Sequence, residues 1–405
     1  MKPIINKEFT FFLITRMLYM SGVKMIPVIL GWKLYELTES KLVLGFLGLS
    51  EVIPAILLAL PAGVKIDRSN KHKLILVCLV GYFLISIFFT IITSDYLEEA
   101  LSKRWITGLI FFGVFLTGVV RAYGSPALTA FLAQVVKSNE LVKAASINSM
   151  SWLIAAVVGP VLAGFLLANF GITVTFYGVF IFIVIGILSW TQIASKPVMW
   201  NRNNQRTLES VKDGLRFVFS QKALLGAMSL DMFAVLFGGA IALLPVFAKD
   251  ILRVDAQGYG ILVSATYIGN FLSIAYLTAK PLQTAQGKKL FISVASFGFC
   301  IILFALSRNF YLSFFALLLS GIFDGVSVII RGTIFQLFVP DDMRGRVSSV
   351  NSIFINSSNE LGQFESGMTA ALMGTVPAVV FGGVMTVIVT WISWKKFPTL
   401  RSYKW

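Results

Sequence analysis

The 405-residue sequence is poor in the side chains on which disulfide frameworks, metal sites and hydrolytic centres depend. It contains two cysteines, Cys78 and Cys300, both inside apolar runs, and one histidine, His72, in a basic segment. Two such cysteines behave as small apolar residues and predict no disulfide framework. With one histidine and no Asp-x-x-Asp motif, the sequence gives no support for a membrane enzyme. We therefore expect no catalytic residues, no metal site and no cofactor.

Charged residues are also scarce. They make up 13% of the sequence, whereas apolar residues make up 57% and the mean hydropathy is +0.83. A soluble domain needs about 25% charged residues, so the outer surface of this chain must face lipid. The net charge of +15 comes from short basic segments between apolar runs. Retention of basic loops in the cytoplasm and contact with membrane lipid explain this pattern, and no nucleic-acid partner is expected.

Apolar runs of membrane-spanning length recur along the whole chain. A span needs about 20 apolar residues, and helices are expected because open strands would leave backbone groups unpaired in lipid. The sequence thus predicts an all-α integral membrane protein with twelve transmembrane helices. We place them at residues 9–35, 43–66, 73–94, 105–134, 143–168, 173–194, 223–248, 258–281, 289–307, 310–338, 347–373 and 376–396.

The distribution of Lys and Arg predicts the orientation. With both termini in the cytoplasm, 23 of these residues fall in inward segments and 6 in outward segments. Such an excess on the inner side is the usual pattern for cytoplasmic loops. We therefore expect a multi-pass protein of the bacterial cytoplasmic (inner) membrane with both termini cytoplasmic.

The midpoint of the chain differs from its surroundings, because residues 195–222 are polar and basic. Apolar residues at helical spacing predict an amphipathic helix lying on the inner membrane face; they are Leu208, Val211, Leu215 and Val218. The domains are accordingly predicted as an N-terminal six-helix bundle at 1–194, a cytoplasmic linker at 195–222 and a C-terminal six-helix bundle at 223–405. A shift of 203 residues aligns several small and polar residues, among them Gly159 with Gly362, which indicates a duplicated six-span unit.

A basic segment between the second and third spans carries a recognisable motif. Residues 63–73 read GVKIDRSNKHK, which resembles the loop signature of the major facilitator superfamily. Residues 31–38 (GWKLYELT), 121–127 (RAYGSPA), 231–239 (DMFAVLFGG) and 343–351 (MRGRVSSVN) resemble the subgroup of bacterial exporters that includes the enterobactin exporter and the macrolide efflux proteins. The resemblance implies the major facilitator fold, in which two six-helix bundles alternately expose a central site, usually with export driven by proton entry.

The same resemblance implies a gate on the inner side. Its predicted residues are Gly63, Asp67, Arg68, Lys71, Arg344 and Arg346. An acidic residue is stabilised at a helix N-terminus, so we expect Asp67 to cap the start of the eleventh span, with Arg344 and Arg346 meeting acidic or carbonyl partners across the halves. The plainer alternative is that the loop charges only set the topology. The second-half equivalent, residues 280–289, has no acidic residue, which predicts an asymmetric gate.

We predict nine charged residues at bilayer depth, away from the span ends, where charge is costly and often marks a transport pathway. They are Arg16, Lys24, Glu51, Arg121, Asp231, Asp324, Arg331, Glu360 and Glu365. Six lie on spans one, four, seven and ten, which line the central cavity in the resembling family. Their depths predict an Asp231–Arg331 pair and contacts of Arg121 with Asp324 or Glu360.

These charges allow two readings. In the first, a carboxylate carries the proton, since burial favours the neutral acid; Asp231 and Asp324 are the first candidates, and Glu360 and Glu365 the next. In the second, they form static ion pairs that fix helix packing. Arg121 is expected to bind an anionic substrate or to tune a neighbouring acid, whereas Arg16 and Lys24 could instead extend to the membrane surface.

A helix-packing motif lies on the fifth span, where Gly159, Pro160 and Gly164 resemble a motif of superfamily antiporters. Small residues allow close helix approach and proline permits a bend, although both are ordinary in spanning helices. The predicted function is proton-coupled export of an amphipathic small molecule of the drug, macrolide or siderophore type, by a monomer. A transporter of lipid-like substrates, or an importer on the same fold, is the alternative. A membrane enzyme is the least favoured reading.

Overall fold

The computed structural model describes residues 6–137, 140–197, 207–280, 282, 284–340 and 343–404. Within these ranges the chain is helical and contains no strand. The helices are α1 Lys7–Thr38, α2 Lys41–Arg68, α3 Lys71–Ile92, α4 Asp95–Ala100, α5 Lys103–Val135, α6 Leu141–Trp190, α7 Thr207–Ser220, α8 Lys222–Gly238, α9 Leu244–Val246, α10 Ala256–Ala279, α11 Gln286–Leu306, α12 Phe310–Phe338, α13 Arg344–Met373, α14 Thr375–Lys396 and α15 Pro398–Arg401. A 3₁₀ turn, Ala240–Leu243, precedes α9, and a π-helical turn, Phe247–Ile251, follows it.

Ten of the described helices are long and apolar enough to cross a membrane. One of them, α6, is 50 residues long and is divided by the non-helical residue Gly171 into two limbs, 141–170 and 172–190. The 30 residues of α13 are also long enough, but the helix is too polar to qualify by composition. Counted with both limbs of α6 and with α13, the described chain holds twelve helical segments of span length, in agreement with the predicted number.

The outer surfaces of these helices are apolar. Large aliphatic side chains such as Leu372 and Leu57 are 75% and 71% exposed. In water this would be costly, but the same surface is stable against hydrocarbon tails. Three of the helices begin at asparagine caps, where Asn6, Asn70 and Asn309 accept hydrogen bonds from backbone N–H groups three residues later.

The helices pack into two units. The N-terminal unit comprises residues 1–39, 50–204 and 255–264, and the C-terminal unit comprises residues 40–49, 205–254 and 265–405. Helices α2 and α10 therefore each contribute residues to both units.

In the N-terminal unit, α1 packs along α6 and α3 packs along α5. An aromatic cluster closes one end: the rings of Phe12 and Phe131 lie 6.3 Å apart, and Trp190 lies 4.9 Å from Phe131. The His72 ring stacks on Trp190 at 5.1 Å, and the Trp190 indole N–H donates to the His72 carbonyl oxygen (3.0 Å). The single histidine is thus part of the packing at this end.

In the C-terminal unit, the linker helix α7 packs against protein. Val218 is fully buried in a core with Leu224 and Val347, and Leu215 packs against the same core. For Leu215 and Val218 the predicted contact with the membrane was therefore wrong, because α8 and α13 offer these two side chains an apolar surface within the protein. The side chains of Leu208 and Val211 lie outside the described residues.

Two glycines support the predicted duplication. Gly171 divides α6, and Gly374 separates α13 from α14; both have positive φ angles, 78° and 94°. Only glycine adopts such angles at little cost. Gly374 lies 203 residues after Gly171, which is the same shift that aligns the two halves in sequence. The turn between the last two spans of each half is therefore made in the same way.

Helix contacts repeat with the same spacing. At Gly159 of α6, an added Cβ atom would lie 2.7 Å from the Ser21 carbonyl oxygen of α1. At Gly362 of α13, an added Cβ would lie 2.9 Å from the Leu236 carbonyl oxygen of α8. In both halves the fifth span is thus close to the first span at a glycine.

This close contact yields a stability prediction for Gly159→Val. The valine methyl groups would overlap the α1 backbone, and overpacking of this kind costs about 1–3 kcal/mol. We expect a clearly lower melting temperature and less monodisperse protein after purification in mild detergent. Gly108→Val is the matched control, because a Cβ atom added at Gly108 meets nothing within 4 Å. Equal melting temperatures for the two variants would contradict the packing role of Gly159.

Candidate functional site

Three polar residues of α12 share one face of that helix. Asp324, Ser327 and Arg331 are separated by three and four residues, so their side chains project in the same direction. The Arg331 Nε atom donates a hydrogen bond to Ser327 Oγ (3.1 Å). Its Nη1 atom forms an ion pair with Asp231 of α8, and its Nη2 atom lies 3.8 Å from Asp324 Oδ1. The predicted pairing of Asp231 with Arg331 is thus present, and Asp324 is the third member.

A fourth polar residue, Asn270, completes this group. Its Nδ2 atom donates a hydrogen bond to Asp324 Oδ2 (2.8 Å). The approach of α10 to α12 is close here, since a Cβ atom added at Gly325 would lie 3.0 Å from the Asn270 carbonyl oxygen. Asn270 is absent from the predicted site residues, which were chosen by charge. The available signal was an amide side chain within an apolar span, where it tends to hydrogen-bond across helices.

The cluster borders a cavity of about 120 Å³ within the C-terminal unit. Five helices, α8 and α10 to α13, supply its walls. Polar lining residues are Asp231, Thr266, Asp324, Ser327, Asn359 and Gln363, and apolar ones include Ala234, Val235, Ile241, Val294, Phe297 and Phe323. A cavity with mixed walls of this kind suits an amphipathic molecule, which offers both apolar surface and hydrogen-bonding groups.

The charges of the cluster do not balance. Two carboxylates, Asp231 and Asp324, face one guanidinium, Arg331. When all three are ionised, one negative charge is left over, and the uptake of one proton makes the group neutral. The two acids differ in environment, because the Asp231 side chain is 10% exposed and the Asp324 side chain is 31% exposed.

In the N-terminal unit, Arg121 of α5 forms an ion pair with Glu51 of α2, with Nη1 2.6 Å from Oε1. This joins two of the predicted residues in a pairing that was not predicted. The predicted contacts of Arg121 with Asp324 or Glu360 stay predictions. A further pair unites Lys33, a buried residue of α1, with Glu98 of α4 (2.6 Å); both lay outside the predicted set.

The two other cations predicted on α1 differ in environment. The Lys24 ammonium lies 5.2 Å from the centre of the Trp152 ring. Arg16 has its Nε atom covered by protein, and within the described residues this atom has no hydrogen-bond partner.

Two of the predicted acids, Glu360 and Glu365, lie on α13 and are not members of the Arg331 cluster. Glu360 is buried, and its Oε2 atom accepts a hydrogen bond from Gln363 (2.9 Å), which lines the cavity. Glu365 is half-buried, and its carbonyl oxygen accepts a hydrogen bond from the Thr369 hydroxyl (2.8 Å). Glu360 is thus linked to the cavity through a neighbour.

The predicted gate residues fall at helix ends. Asp67 and Arg68 are exposed in the last turn of α2, and Lys71 begins α3. At Gly63, an added Cβ atom would meet nothing within 4 Å. Asn70, which is not among the predicted residues, donates to Ser195 Oγ (2.8 Å) and to the Lys196 carbonyl oxygen (3.1 Å). The motif loop is therefore tied to the segment that follows α6.

The two gate arginines of the second half lie at the start of α13. Arg344 is exposed. Arg346 forms an ion pair with Asp213 of the linker helix α7 (3.2 Å). Arg346 therefore pairs with an acidic residue, as predicted. This residue belongs to the same packing unit as Arg346, whereas the prediction placed it across the halves.

Span-length helices with repeated contacts, an apolar outer surface and charges buried along the spans are the features of a multi-pass membrane transporter, and the family match places it in the major facilitator superfamily. Comparison with known proteins gives the family: the sequence profile described as transmembrane secretion effector matches residues 1–402. The chain belongs to this family.

Two curated relatives extend over most of the chain. The staphyloferrin A transporter of Staphylococcus aureus is 22% identical over 365 residues, covering 90% of this chain and 89% of the relative. The enterobactin exporter of Shigella flexneri is 23% identical over 337 residues, covering 81% and 76%. The chain is therefore a transporter of small molecules and not an enzyme, and it resembles bacterial membrane transporters over most of its length.

Solved structures agree with this fold. An inward-facing, unoccupied bacterial homologue of the human lysosomal transporter Spinster has a TM-score of 0.76 at 15% identity, with 99% of each chain covered. An inward-facing bacterial homologue of the iron transporter ferroportin has a TM-score of 0.72 at 18% identity, with 98% of each chain covered. At these identities the likeness concerns the fold alone.

Proposed function

We propose that the protein exports an amphipathic small molecule, with siderophores as the first class to test, and that proton entry drives the export by alternating access. The observation that carries this proposal is the unbalanced group of Asp231, Arg331 and Asp324 at the edge of a cavity. A group that changes between a charge of minus one and zero inside a membrane can couple proton binding to a conformational change.

Within this group, Asp324 is the better proton carrier. Asp231 is in direct contact with Arg331, so protonation of Asp231 would leave the guanidinium with only the more distant carboxylate. Protonation of Asp324 leaves the Asp231–Arg331 pair intact. The larger exposed fraction of Asp324, 31% against 10%, also favours proton exchange with the cavity. Asp231 then serves as the fixed partner of Arg331.

The direction and the cargo class rest on the cavity and on the relatives. Mixed apolar and amide walls suit an amphipathic cargo. The two curated relatives bear the names of a staphyloferrin transporter and an enterobactin exporter. Both names point to siderophores, and one specifies export, so siderophore export is the first activity to test.

The motif loop contributes the gate in this proposal. Asp67 is exposed at the end of α2 and is available to stabilise a helix N-terminus when the inner side closes. A contact of this type is worth about 0.3–2 kcal/mol. That is enough to shift a two-state equilibrium severalfold. The termini and the linker lie in the cytoplasm in this scheme, because the basic segments do.

An everted-vesicle assay tests the proposal. Vesicles from bacteria that lack their own pumps are energised by respiration and offered a dye, a macrolide and a catechol siderophore. We expect uptake of at least one of them into vesicles that contain the wild-type protein, falling to background with an uncoupler. Asp67→Asn should insert in equal amount but transport severalfold more slowly, because it loses the acidic contact.

The outcomes are separable. Uptake that ignores the uncoupler would refute proton coupling, whereas movement of the cargo only out of everted vesicles would refute export. Wild-type transport rates in Asp67→Asn would refute the proposed gating role of Asp67 without contradicting proton coupling or export.

A further inference from the structure

Arg16 carries a charge inside the first span, and no compensating partner lies among the described residues. It is the tenth residue of the 32-residue helix α1, so it lies about 14 Å from the first residue of that helix and well inside the span. Its Nε atom is fully covered by protein atoms, so this donor does not point to lipid. Within the described residues, the Arg16 side chain forms no ion pair and Nε has no hydrogen-bond acceptor.

Three other cations of the spans form ion pairs with acidic residues. Arg121 contacts Glu51, Arg331 contacts Asp231, and Lys33 contacts Glu98. A charge that is removed from water without such a partner is strongly unfavourable. A charged residue without a partner inside a membrane span therefore often marks the pathway of the transported molecule.

A second unsatisfied polar atom lies at a similar depth. Asn148 is 7% exposed, and its Oδ1 atom has no hydrogen-bond partner within the described chain. It lies seven residues after the start of α6, or about 10 Å along that helix. The Asn6 side chain, just before α1, donates to the carbonyl oxygen of Val135 at the end of α5, shortly before α6 begins. Helices α1 and α6 therefore start on the same side.

These two atoms are the buried side-chain nitrogen and oxygen atoms that lack hydrogen bonds in the described part of the protein. One is a cationic donor and the other is a neutral acceptor, and the limb of α6 that carries Asn148 packs against α1 at Gly159. A buried polar atom is costly unless it is bonded. A ligand that satisfies both atoms would need an anionic oxygen and, nearby, a hydroxyl or N–H donor.

We propose that Arg16 binds an oxyanion of the transported molecule, such as a carboxylate, with Asn148 accepting a hydrogen bond from a neighbouring hydroxyl or N–H group. This inference rests on the proposed transport function and names its substrate class. A guanidinium is suited to planar oxyanions because its N–H donors form a fork that matches two oxygens.

The test measures binding rather than transport. Purified protein in mild detergent is melted alone and with increasing citrate, 2,3-dihydroxybenzoate, benzenesulfonate or phosphate, and apparent dissociation constants are taken from the rise in melting temperature. We expect at least one organic anion to stabilise the wild type. Arg16→Gln should weaken that binding by about tenfold to a hundredfold, the loss expected for a charge-assisted contact.

Two comparisons separate binding from a structural role. Arg16→Lys keeps the charge and should bind within several-fold of the wild type. Without any anion, Arg16→Gln should melt at the same temperature as the wild type or higher, since it removes an uncompensated buried charge. Arg308→Gln, which removes the same charge at an exposed position before α12, should change neither property.

The inference fails if none of the anions stabilises the wild type, or if Arg16→Gln binds them equally well. It also fails if Arg16→Gln melts well below the wild type without ligand, which would make Arg16 a structural residue. An effect of phosphate equal to that of the organic anions would indicate adventitious ion binding and would likewise overturn it. Proton-driven export of purely cationic cargo would refute the inference while leaving the proposed function intact.

Discussion

Arg331→Met is expected to remove most of the stability of the C-terminal unit. The variant leaves Asp231, whose side chain is only 10% exposed, without its ion-pair partner. Removing one member of a buried ion pair typically costs about 3–5 kcal/mol, because the other charge stays buried and unpaired. That is a large part of the total stability of a protein. We expect little monodisperse protein after extraction in mild detergent, a strongly lowered melting temperature and no transport.

Neutral replacement of the whole group provides the control. Exchanging a buried ionic group for uncharged residues of similar size is often close to neutral for stability. The triple variant with Asp231→Asn, Asp324→Asn and Arg331→Met should therefore recover most of the wild-type melting temperature. It should still fail to couple transport to protons, because no acid is left in the group. A single Arg331→Met variant that melts like the wild type would show that Arg331 does not balance buried carboxylates.

The helices were largely predictable because their signal is strong and local. An apolar run of span length cannot be solvated, so its position alone specifies a membrane helix. The predicted span 73–94 corresponds to α3 at Lys71–Ile92, and the predicted break between 168 and 173 is made by Gly171. The surroundings of Leu215 and Val218 in the linker helix were predicted wrongly, because an amphipathic pattern indicates that one face is covered and not whether lipid or protein covers it.

The candidate site was predictable only in part. Charge at membrane depth identified Asp231, Asp324 and Arg331. Which residues pair also depends on the rotation of each helix and on which helices are neighbours. The position of a residue along its span specifies neither. The Glu51–Arg121 contact and the hydrogen bond of Asn270 to Asp324 were missed for this reason. The contact between Arg346 and Asp213 was missed because the packing of α7 was not foreseen.

Asp324→Asn should separate substrate movement from proton movement. Asparagine is nearly the same size as aspartate, and its side-chain oxygen can still accept the hydrogen bond from Asn270, which is 2.8 Å long in the wild type. The Asp231–Arg331 pair is untouched. The variant should therefore fold and bind its cargo. It cannot take up a proton at this position, so the charge of the group no longer changes during the cycle.

The expected result depends on which transport mode is measured. In everted vesicles, uptake driven by a pH gradient should fall by about a hundredfold, the scale typical of losing an essential proton-transfer group. Exchange of labelled for unlabelled cargo needs no net proton movement and should stay within several-fold of the wild type. Asp95→Asn, which neutralises an exposed acid of α4, should change neither rate.

The comparison of the two rates makes the assignment of the proton carrier testable. If both rates fall together, Asp324 is needed for cargo binding or folding and not specifically for coupling. If uptake by Asp324→Asn still follows the pH gradient, the carrier is another acid. Asp231→Asn then becomes decisive, because it deprives Arg331 of its closest partner and should lower the melting temperature even when Asp324 is intact. If Asp231→Asn is stable and has lost only its proton coupling, Asp231 is the proton carrier and Asp324 is the partner of Arg331.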